Sequence, residues 1–302
     1  MLDILIKAGC YIAIMILGMV LRAVGFFKEE DFPVLSKTVI KITLPAAIIS
    51  SAAGRELDPA LLTLALLGFG GGVIYMIIGF LLNCKKGKDW RAFGLLNLPG
   101  YNIGTFALPF TQSFLGATGV LATSLFDVGN AFICLGGAYG VASAVKAGHG
   151  FDWKRVVKAL SRSAPFLVYV ITTSMNLCHI PIPGFVASCA SIIAGGNAFL
   201  AMLMIGVGFK LDLRKDQLGL ITKMLLARYS VAAVLALAYY FLLPFDLEVR
   251  QTLVILAFSP IGSAVPVFTA ELKSDVGLSS AINSIAIVIS ILVMVTLLLV
   301  LP

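Results

Sequence analysis

The sequence predicts an all-α membrane protein: ten transmembrane helices in a 5+5 inverted repeat, with helices four and nine broken and crossing. Three observations lead there. The chain is 60% hydrophobic and only 12% charged, with a mean hydropathy of +1.03, which no soluble globular domain of this length matches. Its apolar stretches run to about 20 residues, the length a helix needs to cross a bilayer. Two of them are interrupted alike: Asn97-Leu-Pro-Gly-Tyr-Asn-Ile-Gly-Thr-Phe-Ala-Leu-Pro-Phe110 in the first half and Phe258-Ser-Pro-Ile-Gly-Ser-Ala-Val-Pro-Val-Phe268 in the second. Backbone that leaves a helix at membrane depth survives only inside protein or along a wet cavity. Paired interruptions therefore point to a transporter's binding site.

The expected spans cover residues 4–24, 34–53, 59–82, 91–115 and 117–145, then 155–175, 184–209, 218–243, 249–270 and 275–301. Span one is too long for a cleaved leader and lacks a small-residue cleavage site, so it is expected to stay as a helix. In span two, Lys37 and Lys41 stand one turn apart near one end and read as snorkelling side chains. Arg162 and Arg228, in spans six and eight, are read in the same way. Gly68, Gly70, Gly71 and Gly72 of span three suit close helix packing. Spans four and nine carry the interruptions. Span five holds Asp127 and Asn130; span ten holds Asn283 and Ser284 at the corresponding place. The five cysteines form no CxxC pair and read as small core hydrophobes. His149 and His179 fall in loops and receive no role.

Charge sets the orientation. Lys28, Lys85, Lys86, Lys88, Lys146, Lys154, Arg155, Lys158, Lys210, Arg214 and Lys215 all fall in odd-numbered loops or beside them, against Lys7, Arg55 and Arg250 on the other side. By the positive-inside rule the odd loops are cytoplasmic and both termini lie outside, in a multi-pass protein of the plasma (inner) membrane. The net charge of +7 is thus a topology signal; there is no basic stripe with interleaved aromatics for nucleic acid. The chain divides into repeats 1–145 and 155–302 across the polar linker 146–154. Five is odd, so the second repeat enters the membrane inverted. Pro99 then corresponds to Pro260, and Pro109 to Pro266.

Proline suits the first positions of a helix, so Pro109 and Pro266 are expected where the broken helices restart. Restarted helices present free N–H groups and positive dipole ends, an anion site that needs no buried Lys or Arg. Asn102, Thr105, Ser259 and Ser263 add neutral donors. A pair of kinked helices with no site is the plain alternative. Asp127 is the carboxylate deepest inside a span. Burying a charge costs at least about 2.5–3.5 kcal/mol, so Asp127 is expected to take up a proton or help bind a cation; a structural Asp bonded to the unwound backbone is the alternative. Asn130 lies on the same helix face.

Asn102-Ile-Gly-Thr-Phe-Ala-Leu-Pro109, then Gly116-Ala-Thr-Gly119 and Asp127-Val-Gly-Asn130, together with Leu44-Pro45-Ala46 and the ninth-span prolines, resemble the auxin efflux carrier family in its bacterial form. That family falls within the bile/arsenite/riboflavin transporter superfamily. The resemblance covers the whole chain in length, span count and orientation, and is strongest across 97–130. It implies a scaffold of helices 1, 2, 6 and 7, a moving transport domain of helices 3–5 and 8–10, and a homodimer through the scaffold. It implies carboxylate substrates: malate or malonate, or an auxin-like acid. The substrate-binding residues would be Asn102, Gly104, Thr105, Pro109, Ser259, Pro260, Ser263 and Pro266. Asp127, Asn130, Asn283 and Ser284 would hold the coupling ion or proton. The seventh span departs from the pattern, with Gly195-Gly-Asn-Ala198 where a proline like Pro45 is expected.

The expected function is secondary transport of a small organic anion by alternating access, coupled to H⁺ or Na⁺, with no resident cofactor or metal. A sodium-coupled symporter or Na⁺/H⁺ antiporter on the same fold, or a channel, remains open. An enzyme is disfavoured: the spans contain no HExxH and no histidine. No P-loop is present for ATP drive.

Overall fold

The computed structural model describes residues 2–55, 58–148, 150–211 and 214–301; His149 lies outside them. Among the described residues the regular structure is all helical, with no strand. In chain order the helices are α1 (Leu2–Ala23), α2 (Phe32–Thr38), α3 (Leu44–Ala52), α4 (Thr63–Leu82), α5 (Lys88–Asn97), α6 (Leu108–Phe114), α7 (Gly116–Phe132) and α8 (Ala138–Ala147). They continue as α9 (Trp153–Ser161), α10 (Ala164–Leu177), α11 (Gly184–Ala194), α12 (Asn197–Gly208), α13 (Leu218–Leu242), α14 (Leu247–Ala257), α15 (Val265–Glu271) and α16 (Val276–Val300). Seven helical stretches are long and apolar enough to cross a membrane: 2–23, 32–52, 59–82, 116–147, 184–208, 215–242 and 276–300.

The other three expected spans are not single helices. The fourth comprises α5, a non-helical segment and α6; the ninth comprises α14, a non-helical segment and α15. The sixth divides at Arg162–Ser163 into α9 and α10. There Ser163 caps α10 by accepting from the Phe166 N–H at 3.4 Å, and Pro165 follows within its first turn. At 14 residues α10 is about 21 Å long, short of the bilayer core.

Wide π turns at Val39–Thr43 and Ile103–Ala107 each run straight into a Leu-Pro pair, Leu44-Pro45 and Leu108-Pro109. A proline ring clashes with the carbonyl four residues back, and a locally wider turn relieves that clash. The first broken helix therefore restarts at Ile103, six residues before Pro109, which corrects the expected restart. Pro266 does sit in the first turn of its restarted helix, α15.

Helix packing relies on small residues, since lipid leaves no hydrophobic drive between helices. α4 meets α7 so closely that a Cβ on Gly68 would collide with the Phe126 carbonyl, and one on Gly129 with that of Ala65. Added Cβ atoms on Gly71 and Gly72 would strike Tyr101 and Ile133; Gly70 meets nothing. In the seventh stretch, Gly195 and Gly196 separate α11 from α12. Just beyond them the fully buried Asn197 accepts from Thr43 Oγ1 at 2.9 Å, tying the break to the π turn before Pro45.

Candidate functional site

The two interruptions touch. The Asn102 N–H donates to the Pro260 carbonyl at 2.9 Å, joining the unwound segments of the fourth and ninth spans. Each is then held by its surroundings, because unwound backbone in a dry interior must find partners. On one side Asn130 of α7 grips Tyr101 like a strand partner: its Oδ1 accepts from the Tyr101 N–H at 3.0 Å and its Nδ2 donates to the Tyr101 carbonyl at 2.9 Å. In the other half Asn283 of α16 donates to the Gly262 carbonyl at 3.4 Å. Gly100 adopts φ +80°, which favours glycine, and a Cβ there would lie 2.7 Å from Cys134 Sγ.

On the far side stands Arg228 of α13. It is 1% exposed, against the expectation of a snorkelling side chain. Its guanidinium donates to the carbonyls of Leu98, Gly100 (2.9 Å) and Ser259 (2.8 Å). It also lies 4.8 Å from the Tyr75 ring centroid and 5.7 Å from that of Tyr101, a favourable place for a cation. Those carbonyls extend the C-terminal ends of α5 and α14, where backbone dipoles present negative charge. One arginine thus answers both negative helix ends. Arg162, read alike in the sequence, is exposed at the end of α9. Lys37 and Lys41 are exposed, as snorkelling requires.

Asp127 is the buried carboxylate among the described residues. Its Oδ1 accepts from Asn130 Nδ2 at 2.8 Å and its Oδ2 from the Tyr169 hydroxyl of α10 at 3.0 Å. Gly104 brings bare backbone near it: a Cβ there would sit 3.8 Å from Oδ2 and 2.7 Å from Leu44. Asp127 and Arg228 face opposite sides of the 98–101 segment and form no ion pair.

Two cavities flank the crossover and share Asn102 and Ser263. One, of about 150 Å³, is lined also by Gly104, Thr105, Asp127 and Asn130. The other, of about 530 Å³, adds Pro266, Asn283 and Ser284 and reaches Arg22 and Lys210. Ser263 is open to this space, and Asn102 Nδ2 is buried with no partner within the protein. Thr105 donates to Asn102 Oδ1, which turns that amide's N–H₂ outward as the remaining donor. Ser284 pairs with the Lys210 backbone at 2.7 Å. Pro109, Ser259 and Pro260 line neither cavity. The Pro109 carbonyl accepts from Tyr11 of α1 at 3.0 Å, and Ser259 belongs to the Arg228 clamp. The halves are unequal: Ser280 stands three residues before Asn283, where Asp127 stands three before Asn130.

Sequence reasoning missed Arg228, Tyr169 and Asn197. Arg228 was open to discovery. It lies ten residues into α13, about 15 Å deep, and an ionisable residue at such depth is a functional candidate by default.

Among the described residues the molecule is all helical, with several helices fit to cross a membrane and broken helices meeting between cavities, an arrangement that suits membrane transport. Residues 10–147 match the family described as membrane transport protein. The chain is also 24% identical over 269 residues to an uncharacterized transporter of Methanothermobacter thermautotrophicus, covering 87% of this chain and 82% of that protein. Both likenesses are to transport proteins, in keeping with the resemblance to the auxin efflux carrier family that the sequence carries.

Proposed function

We propose that the protein is a secondary transporter that carries a small organic anion, a carboxylate, by alternating access, and that it is not an enzyme. In this reading α9 with α10, and the two broken spans, join the seven long stretches to make ten crossings in an inverted 5+5 repeat. Contacts at the two ends favour that topology. Lys146 pairs with Asp89 at 2.8 Å and donates to the Leu272 carbonyl at 2.8 Å, bringing loops three, five and nine together. Asn176 donates to the Arg55 carbonyl, bringing loops two and six together at the opposite end.

The observation that carries the reading is the Asn102–Pro260 bond between the interruptions, with Asn102 and Ser263 facing both cavities. Arg228 occupies the negative helix ends, so the helices restarting at Ile103 and Val265 leave their positive ends toward the cavities. An anion gains there from N–H groups and the spare Asn102 amide; a cation does not. Asp127 lies close enough to respond to the occupant and serves as the coupling group.

A thermal-shift screen of the detergent-purified protein against malate, malonate, indole acetate, amino acids and Na⁺ tests this. A ligand that binds only the folded state raises the melting temperature. Stabilisation by carboxylates is expected. Stabilisation by cationic ligands alone contradicts the anion site.

A further inference from the structure

A separate pair of cavities, of mixed polar and apolar lining, approaches Asp127 from the opposite end of the bundle. At that end an opening of about 280 Å³ is lined by Arg55, His179, Thr172 and Asn176. Thr172 and Asn176 also line a much smaller void of about 20 Å³, where Ser51, Ser124 and Tyr169 interrupt a wall otherwise made mostly by Ile48, Leu121 and Leu125. Tyr169 in turn lines the crossover cavity that holds Asp127. A polar void needs roughly 10–15 Å³ and two to four partners to hold one water, so the small void has room for one. Ser51, Ser124 and Thr172 each donate to a carbonyl of their own helix at 2.8 Å. Their oxygens remain as acceptors around that place.

We propose that Tyr169 is the proton gate of Asp127, through which the carboxylate exchanges protons with the end of the protein that carries Arg55 and His179. This rests on the coupling role given to Asp127 above. The two oxygens of Asp127 are not equivalent. Oδ1 accepts from an amide N–H₂ that can only donate, so a proton on Oδ1 would leave two donors facing each other. Oδ2 accepts from a hydroxyl, which can donate or accept. Protonation therefore occurs on Oδ2. A hydronium in the small void gives a proton to the Tyr169 oxygen as the Tyr169 hydrogen passes to Oδ2. The new O–H bond on Oδ2 then donates to Tyr169, the reverse of the present bond, and water is left behind. The exchange adds one proton to one carboxylate and needs no other reactant.

Among the described residues the titratable and charged groups around Asp127 are few; Tyr101 shares its cavity, but its hydroxyl turns toward Gly71 of α4. Tyr169 approaches from α10. Cys134, on the π turn Ile133–Gly137 that follows α7, contacts Asn130 at 3.3 Å rather than Asp127. Arg228 lies beyond the 98–101 segment, its hydrogens engaged by carbonyls. The packed residues of α3 and of Ile103–Ala107 that face Asp127, Leu44 and Gly104, do not titrate. Among the described residues, Tyr169 is the one that lines both the Asp127 cavity and the small void.

Two readouts that need no transport substrate test the gate. In infrared difference spectra recorded on acidification in reconstituted membranes, a protonated-carboxyl C=O band is expected that vanishes in Asp127→Asn. In Tyr169→Phe that band rises more slowly after a pH jump, since the hydroxyl that hands the proton to Oδ2 is gone while the Asn130 bond to the C=O at Oδ1 remains. In a variant with the native cysteines replaced by serine, Thr172→Cys reacts with a small membrane-impermeant thiosulfonate added at the Arg55 end, and Ala122→Cys, fully buried on α7, does not. A band that rises equally fast in folded Tyr169→Phe, or equal reactivity at residues 172 and 122, overturns the proposal. Carboxylate binding is measured separately, so failure here leaves the anion reading standing, and loss of that reading leaves the gate testable.

Discussion

Arg228 carries a full positive charge into the centre of the bundle, and backbone carbonyls and the rings of Tyr75 and Tyr101 answer it in place of a carboxylate. That arrangement makes its removal costly in a particular way. No carboxylate is left stranded, but the carbonyls of Leu98, Gly100 and Ser259 lose their donor. Interhelical hydrogen bonds in bilayers average about 0.6 and reach about 1.7 kcal/mol, so Arg228→Met is expected to destabilise by about 2–5 kcal/mol. Arg228→Lys keeps the charge but not the planar fork that spans both segments, and should fall between. Unfolding in mild detergent, followed by a thermal scan, ranks the three proteins. Asp127→Asn tests a different role: it should retain exchange of substrate at equal concentrations and lose accumulation against a gradient. Uphill uptake measured in proteoliposomes distinguishes the two, and an Asp127→Asn protein that still concentrates substrate removes the coupling role. Asp127 was legible in the sequence because it is a lone carboxylate among apolar neighbours. Arg228 has the same signature, but a long basic side chain has an innocent explanation near a membrane surface, and depth along the helix is what decides between them. Tyr169 gave no signal, since nothing in a sequence shows which phenol meets a carboxylate across 42 residues.

At the scale of elements, the interruptions were legible and the wide turns were not. Proline and glycine mark where a helix must stop, so 98–102 and 258–264 could be placed from residue types alone. A π turn needs only one extra residue per turn and leaves no compositional mark, so Val39–Thr43 and Ile103–Ala107 were hidden. The break at Ser163 did carry a signal, a capping serine two residues before a proline, masked by the apolar run on both sides. The α4–α7 contact gives a direct test of element packing. Gly129→Val would force the Ala65 carbonyl away. Overpacking costs about 1–3 kcal/mol, so a lower melting temperature is expected with the fold otherwise kept. Gly70→Ala, on the same α4 but facing open space, should be silent.

For the whole molecule, the arrangement is one of opposed helix ends. Arg228 neutralises the ends that stop at the crossover, and the ends that restart there face two cavities through Asn102 and Ser263. The cavity on one side reaches Arg22 and Lys210, and on the proposed reading it would give a small anion a basic route to that point. If the crossover holds a carboxylate during transport, solute counterflow in proteoliposomes will show it. Vesicles loaded with unlabelled malate or malonate should transiently accumulate the labelled acid through the wild-type protein, and that overshoot should be lost in folded Asn102→Ala/Ser263→Ala. Undiminished counterflow in the double variant, or counterflow with cationic solutes alone, would mean that the crossover holds no carboxylate.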